Sequence, residues 1–367
     1  MLADFKVRNY RNFRDELHFS LESRKNYEFN QKAVHNGIIK DSVIIGYNAS
    51  GKTNLGSAVM DIIIHLTDRR VGETSSLIYS NLNNRDDTVA FSYKFKFGSS
   101  FLEYTYEKRD PWQVLRECMK IDGKKIIVNE EDIYFARLKG SETLNLDNWD
   151  HSISLVKYVY ANSILDRENK ECQVFLQFIR FVNQMLLFSS TEKLKAVGAN
   201  VAGGSMFGSI CSIEHGVEGL ESFLQEAGLP FKLLEKDMGE GTTIYCKMGD
   251  REVPFHLLMS SGTRALVFLY LWYMQKEDFS FIFIDEFDAF YHTDLSIAVI
   301  KKLIEENIQV VFTSHNTDII SNELLRPDCY FLLNENTIQP FCNLTDKSLR
   351  EAHNLQKMYR TGAFYEQ

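Results

Sequence analysis

Apolar residues fall at every second position from residue 88 to 108: Val89, Phe91, Tyr93, Phe95 and Phe97 share one face, and Ser92, Lys94 and Lys96 the other. Gly98-Ser99-Ser100 turns the chain, and the alternation resumes through Tyr106. A second hairpin is expected around Asp122-Gly123, between residues 117–121 and 125–128, and two more strands within residues 2–22. Together these predict an antiparallel sheet with one buried face. From about residue 162 the period becomes helical: residues 172–188 carry Val174, Phe175, Phe178, Ile179, Val182, Met185 and Leu186, and residues 218–227 predict another helix. The polar stretch 68–87 reads as an exposed connection, and the Gly-rich stretch 197–208 as a flexible loop. The sheet is expected to resume at 243–247 and 252–255. A helix over 263–275 then precedes two short apolar strands, 279–284 and 308–313, separated by a helix over 293–307. Apolar runs of that kind suit a parallel sheet covered on both faces. The expected class is therefore α/β, with a mixed or parallel core sheet, an antiparallel β subdomain and a small helical insertion. The expected division is an N-terminal lobe over 1–162, the insertion over 163–227 and a C-terminal lobe over 228–367.

One loop organises this pattern. Gly46-Tyr47-Asn48-Ala49-Ser50-Gly51-Lys52-Thr53 follows the apolar run Ser42-Val43-Ile44-Ile45 and opens an amphipathic stretch, 54–66. Strand, G-x-x-x-x-G-K-[ST] and helix in that order make a phosphate-binding P-loop. Gly46 and Gly51 allow close backbone approach, so successive N–H groups can face phosphate oxygens, and the helix start adds its positive dipole end. Lys52 would reach the β- and γ-phosphates, and the Thr53 hydroxyl would sit on Mg²⁺. Asn48, Ala49, Ser50, Asn54 and Arg11 are expected to complete the nucleotide-binding set.

Three later stretches fit the same chemistry. Phe281-Ile282-Phe283-Ile284-Asp285-Glu286 is an apolar strand ending in two carboxylates. At the carboxyl edge of a parallel sheet, Asp285 suits a Mg²⁺ ligand and Glu286 suits polarising an attacking water. His315 closes the next apolar strand and can donate to a γ-phosphate. Leu258-Met259-Ser260-Ser261-Gly262-Thr263 precedes a helix, with Ser260 and Ser261 as natural N-caps and Gly262 allowing close approach to a ligand.

Composition narrows the surroundings. The chain has 367 residues and a net charge of −9, which argues against a surface coated in phosphate-binding cations. Lys6, Arg8, Arg11, Arg14, Arg24 and Lys25 still crowd the first 25 residues, so nucleic acid stays open as a partner. The six cysteines show no C-x-x-C pair and suit buried thiols in a reducing compartment. Neither a signal-peptide core nor a membrane-length apolar run is present, so a cytoplasmic protein is expected.

In order along the chain, 46–53, 259–263, Asp285-Glu286 and His315 resemble the P-loop, signature motif, Walker B and switch histidine of ABC-type ATPase heads. Residues 5–13 are similar to the opening of RecF and SMC-like heads. Together with Thr361-Gly362-Ala363-Phe364, the motifs look most like the AAA-type ATPases grouped with the OLD family, many of which belong to bacterial defence and abortive-infection systems. The resemblance implies two heads sandwiching two ATP molecules. Ser260, Ser261 and Gly262 of one copy would face the γ-phosphate held by Lys52 of the other, and His292 would fall at the position crossing that interface. It also implies an ATP-dependent homodimer, or a larger assembly, that signals to a separate effector encoded nearby. A RecF-like clamp on duplex DNA is the alternative, and a transporter subunit ranks last. The signature departs from the transporter Leu-Ser-Gly-Gly-Gln, and Gln113 is available as a Q-loop residue without support from spacing. About 50 residues follow His315, from which neither a nuclease domain nor a long coiled coil is expected, leaving a regulatory role.

Overall fold

The computed structural model describes residues 1–67, 69, 78–189, 195–198, 206–239, 241–289 and 292–365. Parts of two expected loops, 68–87 and 197–208, therefore lie outside the described residues. The alternation at the N-terminus forms β1 (Leu2–Arg8) and β2 (Leu17–Ser20). A short ribbon, β3 (Val34–His35) and β4 (Ile38–Ile39), leads into β5 (Asp41–Ile45), every residue of which is buried. After the P-loop come α1 (Lys52–Val59) and α2 (Asp61–Leu66), separated at Met60 where one continuous helix was expected. The period-two stretches then form β6 (Val89–Phe97), β7 (Ser100–Lys108), β8 (Val114–Ile121), β9 (Lys124–Glu130) and β10 (Ile133–Ala136). These join the first two strands in a seven-stranded antiparallel sheet of order β10-β9-β8-β7-β6-β1-β2. Phe91, Tyr93, Phe95, Tyr104 and Tyr106 form its buried face, as the alternation requires.

Helices α3 (Leu155–Asn162) and α4 (Lys170–Asn183) follow, and here the structure corrects the sequence reading. The helix expected over 172–188 ends at Asn183. Met185, Leu186 and Phe188 instead belong to a buried strand, β11 (Met185–Ser189), followed by β12 (Lys195–Gly198). A short apolar run cannot be divided between helix and two-sided strand by periodicity alone. The segment 163–227, expected as a helical insertion, thus contributes to the core sheet. Past α5 (Met206–Cys211) and α6 (Gly216–Glu226), a second correction arises. β13 (Leu233–Asp237), β14 (Thr242–Met248) and β15 (Arg251–Pro254) form a separate three-stranded sheet instead of resuming the main one. The largely exposed β13, too polar to stand out in the sequence, supplies their partner strand.

The remaining elements are α7 (Ser261–Met274), β16 (Phe281–Asp285), α8 (Thr293–Ile304), β17 (Gln309–Ser314), β18 (Tyr330–Asn334), β19 (Thr337–Pro340) and α9 (Leu355–Arg360). The core sheet runs β12-β11-β16-β17-β5-β18-β19. Its five inner strands pair in parallel, and its edges close with antiparallel partners. Buried Gln309 stitches the two large sheets together: its Oε1 accepts from the Leu2 N–H at 2.8 Å, and its Nε2 donates to the carbonyls of Leu2 at 2.8 Å and Ile39 at 3.0 Å. Helix α1 spans the gap, lying against β16 while the Tyr93 hydroxyl of β6 donates to its Ala58 carbonyl at 3.0 Å.

The break before α2 coincides with Asp61, whose carboxylate anchors the antiparallel sheet from within. It accepts from Lys108 Nζ at 2.7 Å, the Tyr106 hydroxyl at 2.9 Å and the Tyr79 hydroxyl at 2.8 Å, with all four residues buried. Removing one member of such a group strands the other charge in a dry interior. Asp61→Ala is expected to cost about 3–5 kcal/mol, read as a lowered urea midpoint. A loss under about 1 kcal/mol, as for an exposed pair, would contradict this.

Candidate nucleotide site

Because β16, β17 and β5 are parallel neighbours, their carboxyl ends lie side by side. The P-loop leaves β5 there, Asp285-Glu286 ends β16, and His315 follows β17. Three segments far apart in sequence thus meet at one edge, where open α/β sheets bind ligands.

The loop is shaped by its conformational demands. Gly51 holds a φ of 101° as the cap of α1, and a Cβ there would come within 2.4 Å of the Asn12 side chain. A Cβ on Gly46 would meet the Leu333 carbonyl at 2.7 Å. Lys52 turns back into this cradle, its Nζ donating to the carbonyls of Gly46 at 2.8 Å and Tyr47 at 3.1 Å and lying 3.3 Å from His315 Nδ1. Burial lowers its pKa to about 8, although the carboxylates of Glu286, Asp285 and Asp288 oppose the shift. Ser50 Oγ is buried without a partner, whereas Tyr47, Asn48, Ala49 and Thr53 are exposed. Arg11 donates to Asn54 Oδ1 at 3.1 Å, and Asn54 donates to Asn12 Oδ1 at 2.6 Å, so the N-terminal segment braces the start of α1.

At the strand ends, the Thr53 hydroxyl donates to Asp285 Oδ2 at 2.8 Å. Thr313 Oγ1 donates to Asp285 Oδ1 at 2.7 Å and accepts the Glu286 backbone N–H at 2.8 Å. Burial pushes the Asp285 carboxyl above its ordinary range, while these two hydroxyls pull it back. Glu286 sits at a φ of 48°, a left-handed conformation unusual for a non-glycine residue. Its half-exposed carboxylate lies 3.5 Å from His315 Nε2. Thr313 was visible in the sequence only as one polar position in an apolar strand, and its bridging role was missed. So was Asp288, whose Oδ2 accepts from the Ser314 hydroxyl at 2.5 Å.

The segment expected as the signature, residues 259–263, behaves differently. Ser260 caps α7, accepting the Thr263 N–H at 3.1 Å, and Ser260 and Ser261 are exposed. Among the described residues, no hydrogen bond or ion pair joins Ser260, Ser261 or Gly262 to residues 46–53. His292 is exposed at the cap of α8. Gln113 lies in the turn between β7 and β8, its N–H bonded to Asp110 at 2.8 Å, and no described bond joins it to the P-loop. The N-terminal cations are divided: Lys6 pairs with Glu16 at 3.3 Å, while Arg11 faces α1.

Residues 42–321, about three quarters of the chain, match the family described as "AAA domain, putative AbiEii toxin, Type IV TA system". The chain belongs to this family. It is an ATPase of the AAA type, and the matched stretch contains residues 46–53, 259–263, Asp285-Glu286 and His315. None of the curated proteins matches it in sequence. Among solved structures, an SMC head bound to the C-terminal winged-helix domain of ScpA is 12% identical with a TM-score of 0.47, over 92% of this chain and 96% of that one. The SMC head domain from Thermotoga maritima is 15% identical with a TM-score of 0.45, over 92% and 98%. A Pyrococcus furiosus Smc head with an extended coiled coil, bound to the C-terminal domain of ScpA, is 13% identical with a TM-score of 0.43, over 98% of each chain. Among the described residues, no helix is long and apolar enough to cross a membrane.

The AAA ATPase site fits its expected ligands. The unpartnered Ser50 hydroxyl, the glycine-lined cradle and an ammonium resting on two carbonyls suit a triphosphate. The Thr53 hydroxyl and Asp285 carboxylate are the hard oxygen donors that Mg²⁺ takes alongside waters and phosphates.

Proposed function

We propose that this protein is a Mg²⁺-dependent ATPase whose nucleotide site is completed by a second copy, and that the resulting dimer switches a separate effector in bacterial anti-phage defence. One observation carries the reading: Lys52, Thr53, Asp285, Glu286 and His315 converge at one sheet edge, while the exposed signature segment makes no described bond to them. The defence role rests on the family description and on the resemblance to OLD-type ATPases. The reading keeps 1–162 and 228–367 as two lobes of one ATPase head.

The chain's own residues divide the work. Lys52 leaves the Gly46 and Tyr47 carbonyls for the β- and γ-phosphate oxygens. Thr53 and Asp285 would hold Mg²⁺, which supplies charge neutralisation at those oxygens. Glu286 orients and polarises the attacking water, and His315 donates toward the γ-phosphate. Thr313 fixes both carboxylate residues. Ser260, Ser261 and Gly262 of the second copy close the site on its open side, with His292 at the interface. ATP binding thereby becomes a conformational signal, since closure is favoured only when nucleotide links the two copies.

A pH dependence follows from Lys52. Its ammonium, the form that attracts phosphate, is lost as pH rises through about 8 in the free protein. Bound phosphate would hold the charge, so ATP affinity should fall by about tenfold between pH 7 and pH 9. Equilibrium binding across that range checks it, and a flat profile would contradict it. The functional proposal itself is tested by ATP hydrolysis of the purified chain with and without Mg²⁺. Turnover that persists after chelation would overturn the metal assignment.

A further inference from the structure

The segment 361–365, which follows α9, runs beside the nucleotide site, and the catalytic roles assigned above make no use of it. Its position is fixed from two sides. Asp318, three residues past His315, accepts from Arg360 at 2.6 Å and from the Gln356 amide. Phe364 is buried and stacks on Phe341 at 4.4 Å, and Tyr359 stacks on the same ring at 5.9 Å. Held in this way, the segment sets the half-exposed ring of Tyr365 against the ring of Tyr47 in the P-loop, 5.8 Å away and inclined by 32°.

Phe364 already anchors the segment through the core, so burial does not account for the two tyrosines. Tyr47 is 64% exposed although it sits in the loop that cradles phosphate. Adjoining aromatic rings at the surface have the composition of the centre of a protein interface, where Tyr is enriched and carries much of the binding energy. Residues 259–263 have a matching neighbour: Leu257, three positions before Ser260, is 67% exposed. Each chain therefore bears an exposed apolar side chain beside its P-loop. It bears another beside the segment proposed to cover the P-loop of the second copy. Two-fold symmetry would repeat any contact between the two, burying both patches of both chains at once.

Taking the nucleotide site to be shared between two copies, we infer that Tyr47 and Tyr365 form an aromatic patch that a second copy of this chain covers when ATP closes the dimer. The flank around Leu257 of that copy is its counterpart. The Tyr47 carbonyl holds Lys52 in the free chain at 3.1 Å, so the patch stands on the turn that Lys52 leaves for phosphate. The bonds to Asp318 tie the same patch to the segment that follows His315. Segment 361–365 thus acts as a bracket that places an interface residue. A purine stacked on the two rings is the competing occupant. Base stacking would act on the ATP affinity of the single chain, whereas an interface acts on dimer formation.

The test uses the full chain carrying Glu286→Gln, with ATP and Mg²⁺, sedimented over a range of protein concentrations. This parent should dimerise with ATP and stay monomeric without it. Adding Tyr47→Ala, Tyr365→Ala or Leu257→Ser should each raise the dimerisation midpoint about tenfold or more. Tyr365→Phe keeps the ring and should stay within about threefold of the parent. Tyr365→Gln serves if the alanine variant fails to fold. ATP affinity of the Tyr365→Ala protein, measured far below the midpoint, should match that of the parent. A parent that stays monomeric with ATP would overturn the shared site and the patch together. A parent that dimerises at a midpoint that any of the three variants leaves in place would overturn the patch alone. So would a loss of ATP affinity in the single Tyr365→Ala chain, the mark of base stacking.

Discussion

Glu286→Gln is expected to slow ATP turnover by on the order of 10²–10⁴ while leaving ATP binding intact. The substitution keeps the size and hydrogen-bonding reach of the side chain but removes its ability to take up a proton. The surrounding geometry should survive, because Glu286 is held through its backbone: its N–H is bound by Thr313 Oγ1 at 2.8 Å, whichever head group follows. Its carboxylate contacts His315 at 3.5 Å and is not part of a buried ion pair whose loss would unfold the strand end. Steady-state turnover set beside equilibrium ATP binding separates the two effects. Unchanged turnover would remove Glu286 from the mechanism, and lost binding would place it in the phosphate cradle instead.

Gly262→Asp should abolish turnover by a different route, with a loss of about 10² or more and ATP binding by the single chain preserved. Position 262 lies in the first turn of α7, where a carboxylate favours the helix through its dipole, so the fold is not expected to suffer. Across a dimer interface the same carboxylate would face the triphosphate of the other copy and repel it. The split between intact binding and lost turnover distinguishes a residue acting on the partner's nucleotide from one acting on its own. Equal turnover in wild type and variant would exclude residues 260–262 from the site.

Much of this was legible in the sequence because it depends on local periodicity. Val89 to Phe97 announced a half-buried strand, and the residues from Gly46 to Thr53 need a strand before and a helix after, both of which are present. The neighbouring placement of the Asp285 and His315 strands also followed, since short two-sided apolar runs suit a parallel sheet. What escaped depends on contacts between distant segments. Met185 to Phe188 continue a helical spacing in sequence yet pair with β16, and only the sheet decides between the two. Thr313 bridges Asp285 and Glu286 from the adjacent strand, a role no spacing reveals.

The central claim is that one chain carries half of each site. Mixing Lys52→Ala protein with Gly262→Asp protein tests it most directly, because each is expected to be inactive alone. In a mixed dimer, the intact P-loop of the Gly262→Asp copy meets the intact signature of the Lys52→Ala copy, and one complete site is rebuilt. Turnover should therefore reappear on mixing and rise with the fraction of mixed dimer. A mixture as inactive as either variant alone, alongside wild-type turnover strictly proportional to protein concentration at every dilution, would contradict a site shared between two copies.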